Sequence, residues 1–321
     1  MKILIIPGLT LPEPSAVDLR RIRDAAGRDA EVIVTTPQHA HEHAENAAVI
    51  LGFVPPALFQ AAPKLRWVHA IASGVDAFLY PEFAASNVVL TSEKGLVGEH
   101  LADHAFGLLL MLTRQLATAL KLGPEAWNHR SEMRAKEIEL TGLTLGIVGF
   151  GGTGRAMARR AAAFGMYCRA IDRDPVAGSA EVVSVGRASD FHELLAASDV
   201  VAICVPLTRE TQGMFNAAAF ARMKSSAILV NVTRGEVMDE QALVDALEQR
   251  RLGGAALDVA PREPLPPDSR LWHIDNVVMT PHTAGASQYR AARNIDRFVT
   301  NLLRLRSDEP LEGIIDKTLG Y

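Results

Sequence analysis

Short apolar runs, separated by helix-periodic or proline-marked stretches, recur along the whole chain. In the first third they fall at residues 2–6, 31–35, 47–53 and 66–71, each about the length of one strand. Strands alternating with helical patterns predict a parallel sheet covered by helices. A longer apolar-periodic stretch predicts one helix over 98–122. The polar segment "GPEAWNHRSEMRAKEIELTG" after it has the composition of a crossing into a second unit. There the alternation restarts, with runs at 143–149, 167–172, 199–205, 227–232, 255–259 and 276–280 that suit buried strands of one doubly wound sheet. No residue-level repeat or low-complexity tract interrupts the pattern. The reading is α/β, with two units of Rossmann-like or flavodoxin-like character.

Composition narrows this picture. A chain of 321 residues suits about two domains, each able to bury a sizeable interior. With 48% hydrophobic and 22% charged residues and a net charge of -4, it reads as soluble and globular, without the basic excess of a nucleic-acid binder. Cys168 and Cys204 lie inside strand-like runs and read as free core thiols of a reducing compartment. The N-terminal "MKILIIPGLTLPEP" is too short for a signal-peptide core and reads as a first strand. The apolar run at 105–113 falls well short of the ~20 residues of a membrane span. A cytoplasmic protein without a membrane partner is expected. The "HAHEH" stretch at 39–43 invites a metal reading, but it sits in a polar loop without a convincing ligand set nearby, so a solvated loop and no metal are expected.

The sharpest motif is "TLGIVGFGGTGRAMARRAAAFG". Gly149, Gly151 and Gly154 form GxGxxG directly after a predicted strand and at the opening of a helix, the context that turns a weak pattern into a useful one. Gly149 permits the tight turn, Gly151 lets the backbone approach a pyrophosphate, and Gly154 lets helix pack closely on strand. Gly152 and Thr153 lie at the helix N-terminus, where free N–H groups favour phosphate charge. Eighteen residues beyond Gly154 the next strand ends at Asp172, whose carboxylate can accept the ribose hydroxyls of an adenosine and repel a 2′-phosphate. NAD is therefore expected. NADP remains open because Arg173 is adjacent.

Polar residues then follow three successive strands. Arg234 comes after "ILVNVT", Asp258 and Glu263 lie in "AALDVAPREPLP", and His282 follows "NVVMTP". Ligands of open α/β sheets bind outside the carboxyl ends of the strands, so these segments can converge. Taken singly, Arg234 reads as a surface ion pair, Asp258 as a helix cap, Glu263 as a loop acid and His282 as a core histidine. Their order around one crevice favours a single site.

The segments "GFGGTGR", "VPLTRETQGMFN", "ILVNVTRGEVMDEQALVDAL", "GAALDVAPREPLPPDSRLW" and "NVVMTPHTAGAS" together resemble the NAD-dependent D-isomer-specific 2-hydroxyacid dehydrogenases, over nearly the whole chain. The resemblance implies a discontinuous substrate domain, 1–98 plus 287–321, an inserted cofactor domain, 99–286, and a homodimer formed through the region near 98–122. It matches the family's catalytic arginine, glutamate and histidine to Arg234, Glu263 and His282. Asp258 matches the acidic partner of the nicotinamide carboxamide, and Pro206, Val232 and Thr233 lie at matching cofactor positions. In the first domain "IASGVDAF" resembles the loop whose N–H groups bind the substrate carboxylate, singling out Ser73, Gly74 and Val75, while Leu96 matches a contact to the substrate side chain. Three positions depart from the pattern: Gly152 where arginine is common, Ala260-Pro261 in place of an aromatic-acidic pair, and Asp103 where glutamate is more frequent.

The implied chemistry suits these residue types. Reducing a 2-oxo acid delivers hydride to the carbonyl carbon while the oxygen gains charge, so a proton donor must stand at that oxygen. The planar fork of Arg234 can donate two parallel hydrogen bonds to a carboxylate. Glu263 would orient the imidazole of His282. Two other readings stay open: an NADH-sensing, co-repressor-like binding protein, and an NADPH-preferring glyoxylate or hydroxypyruvate reductase.

Overall fold

Successive side chains along each strand enter different cores, as the two-residue strand period requires. Leu145 and Ile147 join one cluster while Val148 joins another; Val201 and Ile203 alternate in the same way with Val200 and Ala202. The computed structural model describes all residues, 1–321. The chain divides into two units, Met1–Val97 with Ala286–Tyr321, and Gly98–Gly285.

The first unit carries β1 (Lys2–Ile5), β2 (Glu31–Val34), β3 (Ala47–Leu51), β4 (Trp67–His69) and β5 (Val89–Thr91). All pairings are parallel, in the order β2-β1-β3-β4-β5. This is a flavodoxin-like arrangement. Leu4, Ile50, Val68 and Leu90 fill one face, and Ile3, Ile5, Val49 and Trp67 the other. Helix Arg290–Arg306 covers the second face with Ile295, Phe298 and Leu302; the Phe298 ring stacks on Trp67 at 5.0 Å between centroids. The strand β5 is absent from the sequence reading because three residues show no usable period.

The second unit carries β6 (Thr144–Val148), β7 (Tyr167–Asp172), β8 (Val185–Arg187), β9 (Val200–Ile203), β10 (Ile228–Asn231), β11 (Gly254–Leu257) and β12 (Val277–Met279). Their order is β12-β11-β10-β9-β6-β7-β8, all parallel. The strand order reverses at β6 and β9, which opens a ligand crevice beyond their carboxyl ends. The sheet has a seventh strand beyond the six expected. The addition, β8, is a short edge strand with no fully buried residue, so it lacks an apolar signature.

The single helix expected over 98–122 is two helices, Gly98–Thr113 and Leu116–Leu122, the latter continuing into the turn Gly123–Trp127. The bend is 66°. Thr113 bonds back to the Leu109 carbonyl (3.0 Å), and Gln115, at φ +53°, caps the Leu112 carbonyl with its side chain (3.0 Å). Hydroxyl back-bonding bends helices, and a left-handed residue ends them. The polar segment at 123–142 is not a crossing between units; it lies inside the second, and the chain crosses at Val97 to Gly98 and at Gly285 to Ala286. No single helix is long and apolar enough to cross a membrane. The 39–43 stretch forms a short turn in which His39 pairs with Glu42 at 2.8 Å.

Candidate functional site

The glycine turn after β6 divides its labour. Gly149 sits at φ +96°, and a Cβ there would lie 2.8 Å from the backbone of Cys204. Gly154, inside helix Gly152–Ala163, brings that helix so close that a Cβ would stand 2.2 Å from the Gly149 carbonyl oxygen. At Gly151 a Cβ would meet nothing within 4 Å. Packing therefore explains the outer two glycines and leaves the middle one to keep space clear above the helix N-terminus. The cradle fits a dinucleotide pyrophosphate, with Gly151, Gly152 and Thr153 at the N-terminal end of the helix.

Asp172 ends β7 and already does local work: its carboxylate accepts the N–H of Phe150 (2.7 Å), inside the glycine turn, and that of Asp174 (3.0 Å). Each oxygen keeps a second lone pair for a ribose hydroxyl. Arg173 lies between two acids, 3.3 Å from Glu210 and 3.5 Å from Asp174. Pro206 follows β9, and its carbonyl accepts the Thr211 hydroxyl (2.6 Å). After β10, Val232 is buried, while the Thr233 N–H and hydroxyl both donate to Asn231 Oδ1 at 3.0 Å. Asn231 returns a bond to the Arg234 carbonyl (2.9 Å), fixing the backbone from which the guanidinium extends. The Arg234 Nη1 donates to the Thr233 carbonyl at 2.9 Å.

His282 is no core histidine: its side chain is 44% exposed. Its Nδ1 lies 2.7 Å from Glu263 Oε2, and Glu263 Oε1 accepts the Ala260 N–H (3.0 Å). Ala260 thus pins the glutamate through its backbone, so the departure at Ala260-Pro261 leaves that contact intact. His282 also stands at φ +54°, a left-handed backbone uncommon for a side-chain-bearing residue. Asp258 holds it there. The Asp258 carbonyl accepts the His282 N–H (2.8 Å), and its carboxylate takes the N–H groups of Thr283 (2.9 Å) and Ala284 (2.8 Å).

In the first unit, Ser73, Gly74 and Val75 follow β4. None of their backbone N–H groups donates to another protein group, while the Val75 side chain is buried in the core. Successive unpaired N–H groups make an anion-binding nest. Leu96 is half-buried in the loop after β5.

Residues 106–284 match the family model described as D-isomer specific 2-hydroxyacid dehydrogenase, NAD binding domain. The chain belongs to that family. A glyoxylate reductase of Korarchaeum cryptofilum is 38% identical over 81% of the chain and 79% of the relative. A glyoxylate/hydroxypyruvate reductase B of Escherichia fergusonii is 36% identical over 88% of each. Among solved structures, an NADPH-dependent glyoxylate/hydroxypyruvate reductase of Sinorhizobium meliloti, in complex with NADP and sulfate, superimposes with a TM-score of 0.81 at 27% identity, covering 100% of both chains. This dehydrogenase is an oxidoreductase whose second unit is the NAD-binding domain.

The geometry adds residues that sequence reasoning missed. Asp258 is closed off, with a side chain 0% exposed, and carries two further partners: the Thr280 hydroxyl at 2.6 Å and His104 Nε2 at 3.4 Å, the latter also 2.7 Å from Thr280. The dehydrogenase therefore uses this carboxylate to hold the His282 loop. Thr280, just before Pro281-His282, was the available signal; His104 gave none, lying far away in sequence. Both cysteines are free thiols, and burial disfavours their thiolates, pushing the Cys204 thiol up to about 12 and the Cys168 thiol up to about 11.

Proposed function

We propose that this dehydrogenase reduces small 2-oxo acids to D-2-hydroxy acids with NADH, using His282 as the general acid, Glu263 to orient it and Arg234 to hold the substrate carboxylate. The reading rests above all on the His282–Glu263 pair, an exposed imidazole fixed through Nδ1 at 2.7 Å on a strained, pinned loop. With the glutamate ionised, the shared hydrogen belongs to Nδ1, which leaves Nε2 to carry the proton handed to the carbonyl oxygen. In the oxidative direction the same nitrogen accepts it. When bound, a reduced nicotinamide would supply the hydride.

For the substrate carboxylate each unit offers donors of its own. Arg234 presents a planar fork, and Ser73, Gly74 and Val75 present unpaired N–H groups. Leu96 is the contact to the substrate side chain. On the cofactor side, Gly149, Gly151, Gly152, Thr153 and Gly154 receive the pyrophosphate, Asp172 the ribose, and Pro206, Val232, Thr233 and Asp258 border the nicotinamide. The acids on either side of Arg173 compensate its charge, which favours NADH over NADPH. The relatives' names point to glyoxylate and hydroxypyruvate as first substrates.

The assembly we infer is a homodimer in a reducing cytoplasm. Leu116, Leu120, Trp127 and Ile138, around the bend after Thr113, are 47%, 76%, 79% and 38% exposed, an apolar set that a second copy would cover. Sedimentation as a monomer at micromolar concentration would remove that inference.

A turnover screen of glyoxylate, hydroxypyruvate, pyruvate and bulkier 2-oxo acids with both cofactors tests the activity. His282→Gln tests the chemistry: fold and NADH binding should persist while single-turnover hydride transfer drops by about two to four decades. Transfer at the wild-type rate by the folded variant sinks the assignment. A wild type that binds NADH and turns over none of the acids points instead to a sensing protein.

A further inference from the structure

The substrate-side loops of the first unit are gathered by a buried charge that the chemistry above does not use. Glu93, two residues after β5, is 1% exposed. Arg290, at the start of helix Arg290–Arg306, grips its Oε2 through Nη2 (2.6 Å) and Nε (3.0 Å). Asn294, one turn further along, donates from Nδ2 to Oε1 at 3.1 Å. The Asn294 Oδ1 is buried without a partner. A buried orphan acceptor is costly, and turning the amide would set two oxygens against each other, so the carboxylate dictates the amide's orientation.

The same residue joins two loops through its backbone. Its N–H donates to the Ala72 carbonyl (3.2 Å), directly before Ser73, Gly74 and Val75, and its carbonyl accepts the Leu96 N–H (2.8 Å). The helix supports the second loop along its length: Arg293 reaches the Leu96 carbonyl (3.5 Å), and Arg297 the carbonyls of Ser92 (3.5 Å) and Lys94 (3.2 Å). Gly95, at φ +82°, makes the turn between these contacts. Besides Glu93 and these arginines, the loop is tied at its start, by the Ser92 N–H on the Gly313 carbonyl (3.0 Å) and the Lys94 N–H on Ser92 Oγ (3.0 Å), so beyond Gly95 the Glu93 carbonyl is the short bond that holds Leu96.

We propose that Glu93 is a positioning residue for substrate recognition, whose clamp by Arg290 and Asn294 sets the pose of the Ala72–Val75 backbone and of Leu96 together. This rests on the functional reading above. Glu93 touches no reacting atom; it fixes where the carboxylate nest and the side-chain wall stand relative to each other. Small displacements of such groups are expensive for orientation-dependent binding.

The variants are Glu93→Gln, which keeps shape and loses charge, and Arg290→Lys, which keeps charge and loses the fork. At saturating NADH, and well below the melting temperature, KM for glyoxylate should rise roughly ten- to a hundredfold while kcat changes much less and the NADH dissociation constant is unaltered. Hydrogen exchange should quicken in peptides covering 70–75 and 95–97, with β1 and β3 unaffected. Glu93→Asp, which retains the charge, should recover part of the KM. A folded variant with lower melting temperature but unchanged KM would make Glu93 merely structural and overturn the proposal, as would unaltered exchange in the two loops. If Glu93→Gln fails to fold, Arg290→Lys carries the same two readouts. A wild type inert towards every 2-oxo acid removes the functional reading alone, and the exchange arm then decides the clamp.

Discussion

Gly151 and Gly154, at the N-cap and in the first turn of one helix, should fail in opposite ways when given a methyl group. At Gly151 the added Cβ meets no atom within 4 Å, and the backbone, at φ -78° and ψ -151°, is open to any residue. Gly151→Ala loses a little as a helix N-cap and regains about 0.4–1 kcal/mol from a stiffer unfolded chain, so its stability should stay within about 1 kcal/mol of wild type. Its methyl, however, fills the space kept for the pyrophosphate. Losing one charge-assisted N–H contact there, worth about 1.5–3 kcal/mol, weakens NADH binding by roughly one to two decades. Gly154→Ala places its Cβ 2.2 Å from the Gly149 carbonyl oxygen, where no side chain can give way. Overpacking against backbone should cost about 1–3 kcal/mol or more, visible as a lower urea midpoint before any ligand is added. The assay pairs urea unfolding with NADH fluorescence titration for both variants. Wild-type NADH affinity in Gly151→Ala would refute the reasoning, since the space above the helix would then have no ligand to keep clear.

Other perturbations separate the remaining roles. Asp172→Ser removes the charge that disfavours a 2′-phosphate while Arg173 stays, so the ratio of kcat/KM for NADPH over NADH should rise by roughly tenfold or more; a wild type that already prefers NADPH would contradict the Asp172 reading. Arg234→Lys keeps the charge but loses the fork, and should lower kcat/KM by about one to two decades with NADH affinity little changed; wild-type kinetics would remove the bidentate role. His69 is buried, its Nε2 unpartnered, and burial first and the Arg297 charge second hold its pKa down to about 3, against 6.5 in the unfolded chain. The unfolded chain therefore binds the proton more readily, so stability is full above about pH 6.5 and drains away as pH falls towards 3, by about 2 kcal/mol at pH 5. Urea midpoints at pH 7.5 and 5.0 should diverge less in His69→Asn than in wild type; an equal loss in both would place the acid sensitivity elsewhere.

The parts of the fold that the sequence made legible are those where burial is two-sided. Strands such as β6, β9 and β10, packed on both faces, leave unbroken apolar runs that need no further context. The edge strand β8 has no buried residue and only three positions, so nothing in its composition separates it from a loop. The break after Thr113 was hidden for a different reason. Leu116 and Leu120 continue the helical apolar period past the bend, although they are exposed where Leu108 and Leu109 are buried. Period reports which positions are apolar and is silent on what covers them.

The site divides along a similar line. The glycines, Asp172, Arg234, Glu263 and His282 could be singled out as candidates because each belongs to a local pattern or follows a recognisable strand. What holds them could not. Asp258 is expected beside the nicotinamide from its place in the family pattern, but the order of residues gives no sign that its carboxylate also binds Thr280, Thr283 and Ala284, bonds that connect positions more than twenty residues apart. His282 sits at φ +54°, a left-handed backbone that costs a side-chain-bearing residue energy and that those donors help to hold. An acid that touches only the ring cannot fix a side chain whose own backbone is free to relax. Glu263 sets the ring only because Ala260 holds one of its oxygens, and Asp258 sets the loop only because it is fully buried with donors on both oxygens. The pose of His282 thus depends on two carboxylates, one that touches the imidazole and one that never does, and only the pairing of the first could be inferred from the order of residues along the chain.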